Sequence, residues 1–167
     1  AKRLRIGYDE LKAINPRIIY CAISGYGQDG PYSTLPGHDI DYIGYAGILS
    51  ITGEKTGPPI IPGVQIADVG GGGMLAATSI LAALLARTKT GRGQFVDVSM
   101  LDGVVSWLTI HAAEYFGEGK SPERGRMMLS GGLAAYNVYE TKDGRYLTLG
   151  ILEEWFWKNL CEALKRE

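Results

Sequence analysis

The sequence predicts an α/β fold, and three observations predict it. A continuous apolar run, Arg17-Ile-Ile-Tyr-Cys-Ala-Ile-Ser24, suits a strand buried on both faces, as in a parallel sheet. A long apolar segment after Asp68 has helical character and stops at Gly91. Strand and helix patterns then alternate, with Gln94–Met100 reading as a strand and Leu101–Phe116 as the helix after it.

Taken in order, Asn15-Pro16 precedes the first strand and Gly25 ends it. Gly25 to Gly37 holds Pro31 and Pro36 and is a loop. From His38 to Ile51, apolar residues at Ile40, Ile43, Ala46, Ile48 and Leu49 recur at a helical period, before Thr52-Gly53 opens a Pro-rich loop through Pro62. Asp68 to Thr88 is predicted to be a helix in the interior, because Met74, Leu75, Ile80, Leu81, Leu84 and Leu85 make it apolar nearly all round. Its apolar stretch, Met74 to Ala86, is broken by Thr78 and Ser79 and falls short of the ~20 residues that cross a bilayer, so no membrane partner is expected. The polar stretch Glu118–Gly125 reads as mobile. After it, Ala134–Glu140 and Arg145–Leu149 flank Lys142-Asp-Gly144, a hairpin signal. Leu152–Arg166 closes the chain as an amphipathic helix. Residues 1–125 are assigned to a larger domain and 126–167 to the start of a smaller α+β one.

Composition bounds the function. With 167 residues, 46% hydrophobic and 21% charged, the chain is a globular protein with a real core rather than a disordered one. Its net charge is -1 and its 17 basic residues are scattered, so no nucleic-acid partner is implied. Cys21 and Cys161 have no metal-ligand spacing and no secretory signal precedes them, which points to reduced thiols, no metal and a cytoplasmic protein. Ala1 at the start and an uncapped helical pattern at Glu167 read as an excised piece of a longer chain.

One motif is a decoy. Gly25-Tyr-Gly27-Gln-Asp-Gly30 satisfies G-x-G-x-x-G after a strand, but Pro31 follows at once, where a dinucleotide-binding turn needs a helix.

The chemistry-bearing candidates are few. Asp68 precedes Val69 and four glycines, Gly70 to Gly73. It suits a helix N-cap, accepting bonds from free backbone N–H groups. Yet four glycines in a first turn cost about 0.5–1 kcal/mol each relative to Ala, so something must approach that backbone closely. A ligand is one candidate, with the turn's N–H groups, Gly70 and Gly71 among them, stabilising an oxyanion while Asp68 serves as base or nucleophile. Close packing against another chain is the other. His38, in Gly37-His-Asp39, lies at the mouth of a predicted helix and is structural by default, as is His111. Glu153-Glu154 reads as a charged first turn.

Several stretches in order resemble one family. They are Asn15-Pro-Arg-Ile-Ile-Tyr20, Ser24-Gly-Tyr-Gly-Gln-Asp-Gly-Pro31, Gly37-His-Asp-Ile-Asp-Tyr42, Ala67-Asp-Val-Gly-Gly-Gly-Gly73, Arg87-Thr-Lys-Thr-Gly-Arg-Gly-Gln94 leading into Asp97, Gly131-Gly132, and Asp143-Gly-Arg-Tyr146. Together they are similar to the family III CoA-transferase and α-methylacyl-CoA racemase superfamily, its racemase branch in particular. The resemblance implies a large domain with a Rossmann-like parallel sheet for coenzyme A, lying mostly upstream of Ala1. It also implies an interlocked homodimer, and an acyl-CoA substrate handled with no further cofactor.

For the transferases, the resemblance makes Asp68 a nucleophile that forms an acyl anhydride. For the racemases, it makes Asp68 one of two acid/base groups flanking the α-carbon, with His38 on the other face and Glu153 supporting the imidazole. Asp39 and Tyr42 match positions near the pantetheine and thioester, beside Gly37. Because transferases usually lack the histidine, the resemblance favours racemisation of 2-methylacyl-CoA thioesters by α-proton exchange, with CoA transfer as the alternative. Two departures bear on the acyl pocket: Met128-Leu-Ser-Gly-Gly-Leu-Ala134 stands where characterised racemases have Met-Leu-Asp-Gly-Gly-Ala-Pro, and Glu154 stands where they have Pro.

Overall fold

The structure, a computed structural model, describes residues 1–166 and their side chains except that of Lys2. The fold is α/β, and the chain divides into two compact units: residues 1–49 with 61–112, and residues 50–60 with 113–167. The domain boundary read from the sequence lies at 125/126; here the loop 50–60 goes with the C-terminal unit and the division follows Ala112.

In the first unit, α1 (Tyr8–Ile14) carries Asp9 and Glu10 in its opening turn, where the positive end of a helix favours them. It buries no residue, which is why no apolar period announces it. β1 (Ile19–Ser24) pairs in parallel with β2 (Gln94–Ser99), from Ile19 opposite Gln94 to Ser24 opposite Ser99. The run expected to be buried on both faces is only half-buried, and Ile23 is exposed, because this sheet has two strands.

The helix expected over 38–51 is two. α2 (Asp39–Tyr45) and α3 (Ile48–Ile51) are separated by Gly47, whose φ of +84° lies in the left-handed region that interrupts a helix. Further on, Ile66–Met74 winds as a π-helical turn that passes directly into α4 (Leu75–Thr90), closed by Gly91 at φ +72° as expected of a C-terminal glycine. The next helical stretch also divides, into α5 (Met100–Val105), a 3-10 turn (Ser106–Leu108) and α6 (Thr109–Glu118). Ser99 caps α5 by accepting the Asp102 N–H at 3.1 Å.

Two clusters form the core of this unit. Tyr42, Ile43, Ala46 and Ile48 pack with Ala67 of the π-turn and Val104 of α5. Ala76 and Ala83 of α4 lie against Val96 and Val98 of β2. These two alanines are the only residues of α4 that are buried, and Leu81 and Leu85 remain 67% and 64% exposed. In this chain the expected interior helix is buried on one side only: Ala76 and Ala83 make the close contact with the sheet, Ile80 and Leu84 are half-buried, and Leu81 and Leu85 face away. The π-turn and α4 together form a helical rod of 25 residues, long and apolar enough to cross a membrane by length and composition, a test that core helices of globular domains also pass.

In the second unit, β3 (Tyr136–Glu140) and β4 (Tyr146–Gly150) form the expected antiparallel hairpin, and α7 (Glu154–Leu164) follows. Arg124 ties the loop 50–60 to this unit, donating to the carbonyls of Ser50 at 3.1 Å, Glu54 at 2.9 Å and Gly57 at 2.5 Å. At this residue, the stretch that reads as mobile from its polarity is anchored.

Candidate active site

His38 is the N-cap residue of α2, with extended backbone, and its N–H donates to Asp41 Oδ2 at 2.9 Å. This is the backward half of a capping box, and it fixes where the helix begins. His38 is exposed and Asp39 half-buried. The Asp39 carboxylate crosses to the π-turn, where its Oδ2 accepts the N–H groups of Ala67 at 2.6 Å and Asp68 at 2.9 Å.

That contact changes the reading of Asp68. The residue before the π-turn is Gln65, which makes no side-chain cap, and Asp68 lies within the turn rather than before it. The capping carboxylate comes from Asp39, 28 positions earlier in the chain. A helix opening leaves N–H groups without acceptors, and a carboxylate there is favoured by both hydrogen bonding and the helix dipole. Asp68 is thereby released from capping, and it is exposed. The amides of Ala67 and Asp68, being engaged by Asp39, are not open to a substrate oxygen.

The glycines have a visible reason in packing. A Cβ at Gly70 would overlap the Trp107 ring, and one at Gly71 would lie 2.6 Å from the Met100 carbonyl oxygen and 2.7 Å from Val104 Cγ1. In return, a Cβ at Gly103 would run into the Gly71 carbonyl. Gly70, Gly71 and Gly72 are buried. The close approach present here is neither a ligand nor another chain: it is made within the chain, by α5 and the turn after it. A π-helical turn is rare and frequently found at functional sites, and this one carries an exposed Asp68.

Tyr42 completes the cluster. It is 7% exposed, and its hydroxyl donates to the Gly37 carbonyl at 2.6 Å, holding the approach to His38 against α2. Burial, then the Asp68 and Asp41 carboxylates, push the Tyr42 phenol above its usual 10.0. Gly25 and Gly37 leave room for the ring, since a Cβ at Gly37 would lie 2.7 Å from it and one at Gly25 would overlap it. The loop with the decoy glycine pattern thus brings its backbone against Tyr42. Tyr26, on that loop, meets Tyr42 edge-on at 5.1 Å between ring centres.

The first unit therefore gathers Gly37, His38, Asp39, Tyr42, Asp68, Gly70 and Gly71 around the contact between α2 and the π-turn. Glu153 belongs to the second unit, where it is the N-cap residue of α7. The Met128–Gly132 motif of that unit is an irregular turn, with Gly131 at φ +90° and its carbonyl accepting from Asn137 Nδ2 at 3.3 Å. The turn borders a cavity of about 880 Å³ lined also by Lys55, Tyr146 and Thr148. Sequence reasoning missed the Asp39 bridge and the Arg124 anchor. Neither has a local signal, because both join segments far apart in the chain.

Comparison with known proteins gives the family. A family model described as CoA-transferase family III matches residues 1–167. The chain is 37% identical over 168 residues to the human alpha-methylacyl-CoA racemase, covering 98% of this chain and 43% of that protein. It is 38% identical over 159 residues to the mouse succinyl-CoA:glutarate CoA-transferase, covering 95% and 36%. In three dimensions it is similar to a CAIB/BAIF family protein from Brucella suis, with a TM-score of 0.82 and 33% identity over 98% of this chain and 43% of that one. The chain thus spans less than half the length of the relatives it matches. On the family match across its whole length, the chain belongs to CoA-transferase family III.

Proposed function

We propose that the protein carrying this chain exchanges the α-proton of 2-methylacyl-CoA thioesters, racemising or epimerising them. The observation that carries the reading is the bridge from Asp39, the residue next to His38, to the amide of Asp68. It ties the helix start that carries His38 to the turn that carries Asp68, and racemisation at one carbon needs two such groups. One group removes the α-proton while the thioester carbonyl takes up the charge as an enolate. The other returns a proton to the opposite face, and in the reverse direction the roles exchange. The human racemase, 37% identical to this chain, supports the same reading. We assign Glu153 to supporting the His38 imidazole. The enzyme is proposed to act as a homodimer in the cytoplasm, with no cofactor beyond the CoA thioester itself.

In deuterated water, the full-length protein is expected to place deuterium at the α-carbon of a 2-methylacyl-CoA. Substrate that stays unlabelled over many turnovers would overturn the reading.

A second reading is CoA transfer, in which Asp68 attacks the thioester, expels CoA and carries the acyl group as an anhydride. Its support is the 38% identity to the mouse succinyl-CoA:glutarate CoA-transferase. Hydroxylamine trapping followed by mass spectrometry of Asp68 separates the two readings, since proton exchange leaves no adduct.

A further inference from the structure

We infer that the Asp39 carboxylate is a positioning group, which sets the place of Asp68 relative to His38, whereas the resemblance places the residue near the pantetheine and thioester. The inference rests on the proposed function for its sharpest test, but its geometry holds for either chemistry. One carboxylate oxygen, Oδ2, accepts two successive amides, Ala67 at 2.6 Å and Asp68 at 2.9 Å. Two bonds converging on one atom fix both the position and the orientation of that peptide. Ala67 is fully buried, so without the carboxylate its N–H would lose its acceptor in a place water does not reach. On the other side, Asp39 is the first residue of α2, and the start of that helix is held by the bond from His38 N–H to Asp41 at 2.9 Å. His38 is therefore placed by its own helix, whereas Asp68 is placed by Asp39.

This asymmetry predicts a one-sided defect. Loss of the Asp39 carboxylate should loosen the Asp68 peptide and leave His38 where it is. A misplacement of about 1 Å can cost a rate on the order of 100-fold.

Turnover of a racemase involves both faces, so ordinary kinetics would blur the asymmetry. A 3-fluoro-2-methylacyl-CoA reports each face alone. When the base takes the α-proton, the enolate expels the β-fluoride, giving the 2,3-unsaturated thioester and fluoride, with the proton left on the base. One base suffices for each α-configuration, and the Asp68→Asn and His38→Asn variants identify which configuration each base serves.

The experiment measures fluoride release from both configurations by the full-length wild-type protein and by Asp39→Ala and Asp39→Asn. For the Asp68-dependent configuration, Asp39→Ala is expected to slow release about 10- to 100-fold. Asp39→Asn, which keeps an acceptor oxygen, should lose clearly less. Release from the His38-dependent configuration, and KM for both, should stay within about 3-fold of wild type, as for a carboxylate that binds neither substrate nor base. A rise in KM at unchanged kcat would overturn the proposal by making the carboxylate a substrate contact. Equal losses on both faces would overturn it by making Asp39 a general support of the fold, as would failure of both variants to fold. If the wild type releases fluoride from neither configuration, the proton-exchange function falls. The positioning role is then read from the rate of acyl-adduct formation at Asp68, where slowing by Asp39→Ala with rescue by Asp39→Asn supports it and unchanged rates overturn it.

Discussion

The two units differ in how they are held. Every buried hydrophobic residue among those described, from Tyr42 to Val104, lies in the first unit. None of the described residues of the second unit is buried. Hydrophobic burial holds the first unit, and the α2 and π-turn contact lies there, tied by the Asp39 carboxylate. Hydrogen bonds hold the second, through the β3–β4 ladder and the Arg124 anchor, while Trp155, Phe156 and Trp157 of α7 stay open. The two groups proposed to flank the α-carbon, His38 and Asp68, lie on the more buried unit, and the unit with the departures near the expected acyl pocket is the less buried one.

The comparison is broken most directly by truncating an apolar residue in each unit. Ile43 is fully buried, and Ile43→Ala should cost about 3 kcal/mol in thermal or denaturant unfolding, as removal of a packed core side chain does. Trp157 is 43% exposed, and in residues 1–167 alone Trp157→Ala should change stability by no more than about 0.5 kcal/mol. The same substitution costing several times more in the full-length protein would show that further chain covers α7.

A smaller effect should follow Arg124→Met, which keeps the side-chain length but removes the donors to three carbonyls. The expected loss is about 1–2 kcal/mol. It should appear as faster proteolysis of the loop 50–60 with no change in the first unit. Equal protection of that loop in both proteins would mean the anchor contributes nothing.

The smallest effects are in pH dependence, and they have opposite signs. In the first unit, burial and the neighbouring carboxylates raise the Tyr42 phenol, so its contribution is fully present below its usual 10.0 and is lost as pH rises through the raised value. Tyr42→Phe should flatten alkaline unfolding, at a cost near neutral pH of about 1 kcal/mol for the bond to Gly37. In the second unit, hydrogen bonds from the Thr141 hydroxyl and from Arg145 hold Asp143 below its usual 3.8. Its contribution is present above that value and is lost as pH falls through the lowered one. Asp143→Asn should therefore weaken only the acid dependence of the hairpin, read by exchange of its backbone amides.

What the sequence determined by itself is the local part: the existence of the first two strands, the hairpin around Asp143-Gly144, the stop at Gly91 and the start of α2 at His38. These follow from periodicity, turn chemistry and capping, whose physics acts within a few residues. It also marked Asp68 and its glycines as a place of close approach without naming what approaches. Only the tertiary structure decided that α5 packs on those glycines, that Leu81 and Leu85 face away from the sheet, and that the loop 50–60 joins the C-terminal unit. It also decided that Asp39, rather than Asp68, caps the π-turn. The reason in each case is that the partner lies far away in the chain, so the spacing of residues along it carries no trace of the contact.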